Sequence, residues 1–148
     1  MITKILVGYD GSEASDRALR LACEIATKFG AKIEASHTPK DETVTYAAEA
    51  ISGFYIGPSL AREDTMIAAA EEMATKARTV AADCGHKALE VHIGHGDPAD
   101  DLLTRAKADG IDLIVTGRRG LGDLRGLLLG STSHGISAKA ECAVLTVA

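Results

Sequence analysis

Five glycines fall within the fourteen positions Gly117-Arg-Arg-Gly120-Leu-Gly122-Asp-Leu-Arg125-Gly126-Leu-Leu-Leu-Gly130, and the hydroxyl residues Ser131, Thr132 and Ser133 follow at once. Gly117 and Gly120 let a backbone turn sharply and lie close to a ligand, because no Cβ stands in the way. Gly130 and the hydroxyl run fall where a helix should begin, so N–H groups without helical acceptors and the positive end of the helix dipole would face one space. Arg118, Arg119 and Arg125 add cationic charge. That combination suits phosphate oxygens. A plain mobile loop would need no hydroxyl cluster at a helix start, which favours the phosphate reading.

These groups need a scaffold. Ile5-Leu-Val7 is a short apolar run closed by Gly8, and after Asp10-Gly-Ser12 come Ala14, Ala18, Leu21, Ala22, Ile25 and Phe29 at helical spacing. Gly30 ends that helix, and Lys32 to His37 alternates apolar and polar as a strand does. A long helix is predicted from Leu60 to Cys84, its core face formed by Met66, Ala70, Met73, Ala77, Val80, Ala81 and Cys84. Ala88 to Ile93 reads as a strand. Asp97-Pro98 starts a third helix, which carries Leu102, Leu103 and Ala106 and stops at Gly110. Asp112 to Thr116 is a strand, Ser131 to Lys139 a helix, and Cys142 to Val147 the closing strand.

Strands alternating with helices define an α/β fold: a single-domain, doubly wound, five-stranded parallel sheet over residues 1–148, with helices on both faces. The apolar runs Ile5 to Val7 and Leu113 to Val115 suit central positions, and the half-polar Ala88 to Ile93 suits an edge. Strand order 3-2-1-4-5 satisfies both. Ligands of such sheets sit beyond the carboxyl ends of the strands, where the order reverses. The segment from Thr38 to Leu60 is long for a crossover and holds Tyr46, Phe54 and Tyr55. It reads as a lid, a dimer contact or a surface excursion.

Composition narrows the function. The chain has 148 residues, 16 of them basic and 21 acidic, for a net charge of −5, which is opposite in sign to the footprint of a nucleic-acid binder. Any bound anion must be held locally. With 15 glycines and no Trp, the site should be shaped by backbone and not by stacked rings. No signal peptide or apolar run long enough to span a bilayer is visible, so no membrane insertion is expected. Cys23, Cys84 and Cys142 are odd in number, far apart and without C-x-x-C, so they read as small buried thiols in a reduced, cytoplasmic protein.

Other signals carry less. Gly94-His-Gly96-Asp-Pro-Ala99 satisfies G-x-G-x-x-A, but it follows an edge-like strand, and Asp97-Pro98 explains it as a helix start. No P-loop sequence occurs. His92 and His95 have no clear third ligand nearby and read as solvent-facing, so no metal site is expected. His134 suits an ordinary first-turn position. Neither G-x-S-x-G nor a recognisable catalytic triad is present, and no catalytic residues are assigned.

Two residues separate Gly117 from Gly120, nine separate Gly120 from Gly130, and Ser131 follows directly. With this spacing the chain resembles the universal stress protein family, whose ATP-binding branch carries Gly-x2-Gly-x9-Gly-Ser/Thr. The resemblance extends through Ile5-Leu-Val-Gly-Tyr-Asp-Gly-Ser12, Gly96-Asp-Pro98 and Leu129-Gly-Ser131, leaving only about Thr38 to Leu60 without a clear match. It implies that Gly117, Arg118, Gly120, Gly130, Ser131, Thr132 and Ser133 line the phosphate and ribose side, and that Gly8 and Asp10 lie at the end of strand one. Thr38, just after strand two, would meet adenine. Asp10 equally suits a cap on the following helix.

The implied cofactor is ATP, with Mg²⁺ held mainly by its phosphates. The implied function is a cytosolic regulatory or signalling module in stress response, with slow or no hydrolysis and a regulatory partner protein. A homodimer joined through Cys142 to Val147 is expected, because an uncovered apolar edge invites pairing and the family points the same way. A nucleotide-free dimeric scaffold and an enzyme using an adenylate intermediate are the alternatives.

Overall fold

The computed structural model describes residues 1–39, 60–118 and 130–148, the first three residues of the second stretch by their backbone alone. Gly120, Arg119, Arg125 and the aromatic residues Tyr46, Phe54 and Tyr55 lie outside the described residues. Strands β1 (Lys4–Gly8), β2 (Lys32–His37), β3 (Glu90–Ile93), β4 (Leu113–Gly117) and β5 (Ala143–Val147) alternate with helices α1 (Glu13–Phe29), α2 (Leu60–Asp83), α3 (Pro98–Asp109) and α4 (Ser131–Lys139). The five strands form one parallel sheet in the order β3-β2-β1-β4-β5, as the apolar runs predict.

The sheet divides the core in two. Ile5, Val7, Ala35, Leu113 and Val115 point to one face and pack with Ala18, Leu19, Ala22, Cys23 and Ala26 of α1 and Ala77, Val80 and Ala81 of α2. Leu6 and Ile114 point to the other and pack with Leu102 and Ala106 of α3 and Ile136 of α4. β1 and β4 are therefore apolar at consecutive positions, the mark of a strand covered on both sides. Burying each of the large aliphatic side chains Ile5, Leu6 and Ile114 contributes about 1.5–3 kcal/mol.

The helix boundaries follow from local chemistry. Ser12 caps α1 by accepting the Ser15 N–H at 3.1 Å, and Asp97 caps α3 by accepting from Ala99 and Asp100, with Pro98 in the first turn. Gly30 and Gly110 close the two helices in left-handed conformation, at φ 66° and 64°. The Gly94 to Ala99 segment is thus a helix start.

Three expectations need correction. The buried face of α1 is Ala14, Ser15, Ala18, Leu19, Ala22, Cys23 and Ala26, with Leu21 and Ile25 on its flank and Phe29 56% exposed. Small side chains let the helix lie close on the sheet, so the bulkier residues are displaced to the side. Of the cysteines only Cys23 is buried; Cys84 and Cys142 are half-buried. Burial pushes the Cys23 thiol up to about 12, assisted by neighbouring Cys84, which suits an inert core residue. His92 is half-buried and lies 3.5 Å from Glu34, not turned to solvent.

Candidate functional site

The carboxyl ends of β1, β2 and β4 converge because the strands run in register: Gly8 is paired with Ser36 on one side and Thr116 on the other. The sheet order reverses here, with β2 leaving β1 on one side and β4 joining it on the other. A Cβ on Gly8 would stand 2.8 Å from Leu102 Cδ1 and 3.0 Å from Thr116 Cγ2, so α3 packs tightly under this end of the sheet.

Beyond β1, Asp10 accepts the Ser12 N–H at 2.9 Å. Its carboxylate thus shapes the turn, and the cap on α1 is Ser12. Lys76 of α2 clamps the same turn by donating to the Gly11 carbonyl at 2.6 Å, and it pairs with Asp16 at 3.3 Å. The Tyr9 hydroxyl donates to Asp16, and burial followed by this bond raises its pKa far above the ordinary value.

Beyond β2, buried Thr38 and Ser36 both donate to Asp101 Oδ2, at 3.3 and 3.2 Å. The Thr38 hydroxyl is thus already engaged within the protein. Asp101 lies in the first turn of α3 beside Asp100, where the sequence offers only the usual acidic preference of a helix start. Its role at the strand end was not legible. His37 is also buried, its Nδ1 bonded to the Tyr9 carbonyl at 2.9 Å, and burial holds its pKa below the ordinary 6.5.

Beyond β4, the two ends of the glycine-rich segment are tied together at its base. The Arg118 carbonyl accepts from Gly130 N at 2.8 Å and from the Ser133 hydroxyl at 3.0 Å. Ser133 also donates to Gly130 O at 3.1 Å and is buried, so its hydroxyl holds the base of the loop. Ser131 is exposed and Thr132 half-buried in the first turn of α4, which Gly130 opens without any side-chain cap bond. Among the described residues, Thr116 Oγ1 and Arg118 Nε are buried and have no hydrogen-bond partner.

Gly117 has a second reason to be glycine. A Cβ there would lie 2.9 Å from the backbone carbon of Ala14 and 3.0 Å from Ser15 N. The first turn of α1 thus stands where a side chain at this position would go. Gly8, Asp10, Thr38, Gly117, Arg118, Gly130, Ser131, Thr132 and Ser133 are therefore brought to one end of the sheet, with Ser36, Thr116 and Asp101 added to them.

A groove of about 420 Å³, lined by Leu103, Lys107, Ile111, Ile114, Lys139 and Cys142 among others, opens at the opposite end, beside the residues that precede β4 and β5. That is the wrong end for the ligand of a parallel α/β sheet. Among the described residues, no helix is long and apolar enough to cross a membrane.

Comparison with known proteins agrees with this architecture. The model of the universal stress protein family matches residues 1–148. The chain is 32% identical over 150 residues to universal stress protein YxiE of Bacillus subtilis, covering 99% of each. Among solved structures it is similar to the universal stress protein UspA from Lactobacillus plantarum, with a TM-score of 0.77, 26% identity and coverage of 99% of this chain and 97% of that one. It is also similar to a universal stress protein solved in complex with cAMP, with a TM-score of 0.71, 25% identity and coverage of 99% and 96%. On its sheet order, the spacing of its glycines and these likenesses, the chain belongs to the universal stress protein family.

Proposed function

We propose that this protein binds an adenine nucleotide, ATP with Mg²⁺ held mainly by its phosphates, at the carboxyl end of β1 and β4, and that it acts as a regulatory module and not as an efficient catalyst. One observation carries this reading: among the described residues, Thr116 Oγ1 and Arg118 Nε are buried without partners, near a helix start that has no side-chain cap. Buried polar groups are nearly always satisfied, and an unsatisfied set of this kind costs stability unless a ligand completes it. A phosphate fits the chemistry, since its oxygens accept from a guanidinium, a hydroxyl and helix N-terminal N–H groups together. The similar protein in complex with cAMP supports the adenine class.

Gly8, Asp10, Gly117, Arg118, Gly120, Gly130, Ser131 and Thr132 would form the phosphate and ribose side, with Ser133 supporting them from beneath and Thr38 beside the base. Hydrolysis needs a group to orient water and charge to stabilise the γ-phosphate. No residue is spaced to compel either role, so slow or absent turnover goes with the reading. We place the protein in the cytoplasm as one domain, pairing through β5 as a homodimer and presenting a nucleotide-dependent surface to a regulatory partner.

The test is mass spectrometry of small molecules released from the purified protein, followed by calorimetry with ATP on wild type and Gly130→Val. ATP should co-purify, and the variant should bind at least tenfold more weakly with unchanged circular dichroism, because a side chain at the helix start blocks phosphate approach. Wild-type affinity in Gly130→Val would refute the site.

A further inference from the structure

Glu34 on β2 and Glu90 on β3 stand directly opposite each other in the parallel pair, and His92 lies two residues further along β3 on the same face of the sheet. One ligand atom from each of the three lies within 4.8 Å of the others. His92 Nε2 is 3.5 Å from Glu34 Oε2. Among the described residues, Glu34 Oε1 and His92 Nε2 are buried and have no hydrogen-bond partner, although the two side chains as wholes are 21% and 28% exposed. Glu90 is exposed and closes the group from the solvent side.

This arrangement breaks two local rules at once. Like charges directly opposite on neighbouring strands oppose the pairing, and Glu34 and Glu90 are such a pair. Buried acceptors and imidazole nitrogens normally have partners. One imidazole, even when charged, offsets one carboxylate at most. A dication would neutralise both carboxylates and supply the missing partner to the imidazole.

We propose that Glu34, Glu90 and His92 form a binding site for a divalent transition-metal ion of the zinc type. Imidazole nitrogen selects Zn²⁺ and its neighbours over Mg²⁺ and Ca²⁺, which prefer all-oxygen surroundings. Bonds of about 2.0–2.2 Å to nitrogen and oxygen need ligand atoms somewhat closer than they stand here, and the exposed Glu90 side chain has the freedom to close the gap. Three protein ligands leave the remaining coordination to water. The ion would fasten the four-residue edge strand β3 to β2. His92 was set aside in the sequence because its neighbours offer no third ligand; that ligand arrives from the adjacent strand.

Calorimetric titration of Zn²⁺ into the full chain, stripped of metal and nucleotide, decides the matter, with Mg²⁺ as the comparison and nucleotide binding playing no part in the readout. Wild type should bind one Zn²⁺ per chain at this site with micromolar affinity or better, and Zn²⁺ should raise its thermal midpoint. Glu34→Gln and Glu90→Gln, which keep side-chain shape, should each weaken binding at least tenfold. Glu90 is exposed, so its variant keeps the test valid even if Glu34→Gln folds poorly. Unsaturable binding in wild type, equal affinity for Mg²⁺, or wild-type Zn²⁺ affinity in Glu90→Gln would each overturn the proposal.

Discussion

The two ends of the sheet are closed to different degrees. At the amino end, Asp112 accepts from Thr3 N at 2.7 Å, from the Thr3 hydroxyl at 2.7 Å and from Lys4 N at 3.0 Å, and Lys4 Nζ reaches the Asp109 carbonyl at 2.7 Å. These bonds close the start of β1 against the start of β4. At the carboxyl end, Thr116 and Arg118 keep buried polar atoms without partners among the described residues. Side chains close the first end, whereas at the second Asp101 answers Ser36 and Thr38 but leaves Thr116 and Arg118 unanswered. Pairing or removing those two groups would stabilise a protein that holds nothing there, and this is the contrast on which the proposed nucleotide site rests.

Gly117→Val should produce the largest effect on this contrast. Its Cβ would meet backbone atoms of α1, which cannot swing aside as a flexible side chain would. Destabilisation of about 1–3 kcal/mol by urea unfolding is expected for such overpacking. An undiminished midpoint would mean that α1 shifts freely and that Gly117 is kept for the ligand alone.

Thr116→Val goes in the opposite direction. Exchanging an unpartnered buried hydroxyl for a methyl group should stabilise the nucleotide-free protein by about 1 kcal/mol, while ATP affinity falls. A loss of stability would show that the hydroxyl is already satisfied and that the two ends are more alike than they look.

The smallest effect is expected at the sealed end. The Thr3 hydroxyl, followed by the Thr3 and Lys4 N–H groups, holds the Asp112 pKa below the ordinary 3.8. A carboxylate whose folded pKa is lowered contributes stability above its unfolded pKa, and that contribution is lost as the pH falls through the lower folded value. Wild type should therefore exceed Asp112→Asn modestly at neutral pH, with the gap narrowing below about pH 3.8 in urea titrations. A gap that stays constant in acid would remove the charge from the explanation.

Much of the framework was legible because it rests on local patterns. Apolar runs at Ile5 to Val7 and Leu113 to Val115 gave away the central strands, and Asp97-Pro98, Gly30 and Gly110 marked helix ends through their own chemistry. The buried face of α1 was legible only in part. Leu21, Ile25 and Phe29 carry the strongest hydrophobic signal, yet close packing on the sheet selects Ala18, Ala22 and Ala26. In the candidate site, the glycines and hydroxyls were visible by type and spacing, whereas Asp101 was one acid among several.

The sequence by itself determined the alternation of strands and helices and their order in the sheet, since each follows from periodicity and turn chemistry along the chain. Only the tertiary structure decided why Gly117 admits no side chain, that Asp101 receives Ser36 and Thr38, and that Glu34 stands opposite Glu90 beside His92. Those facts depend on register and close approach between segments far apart in the chain, which no local pattern encodes.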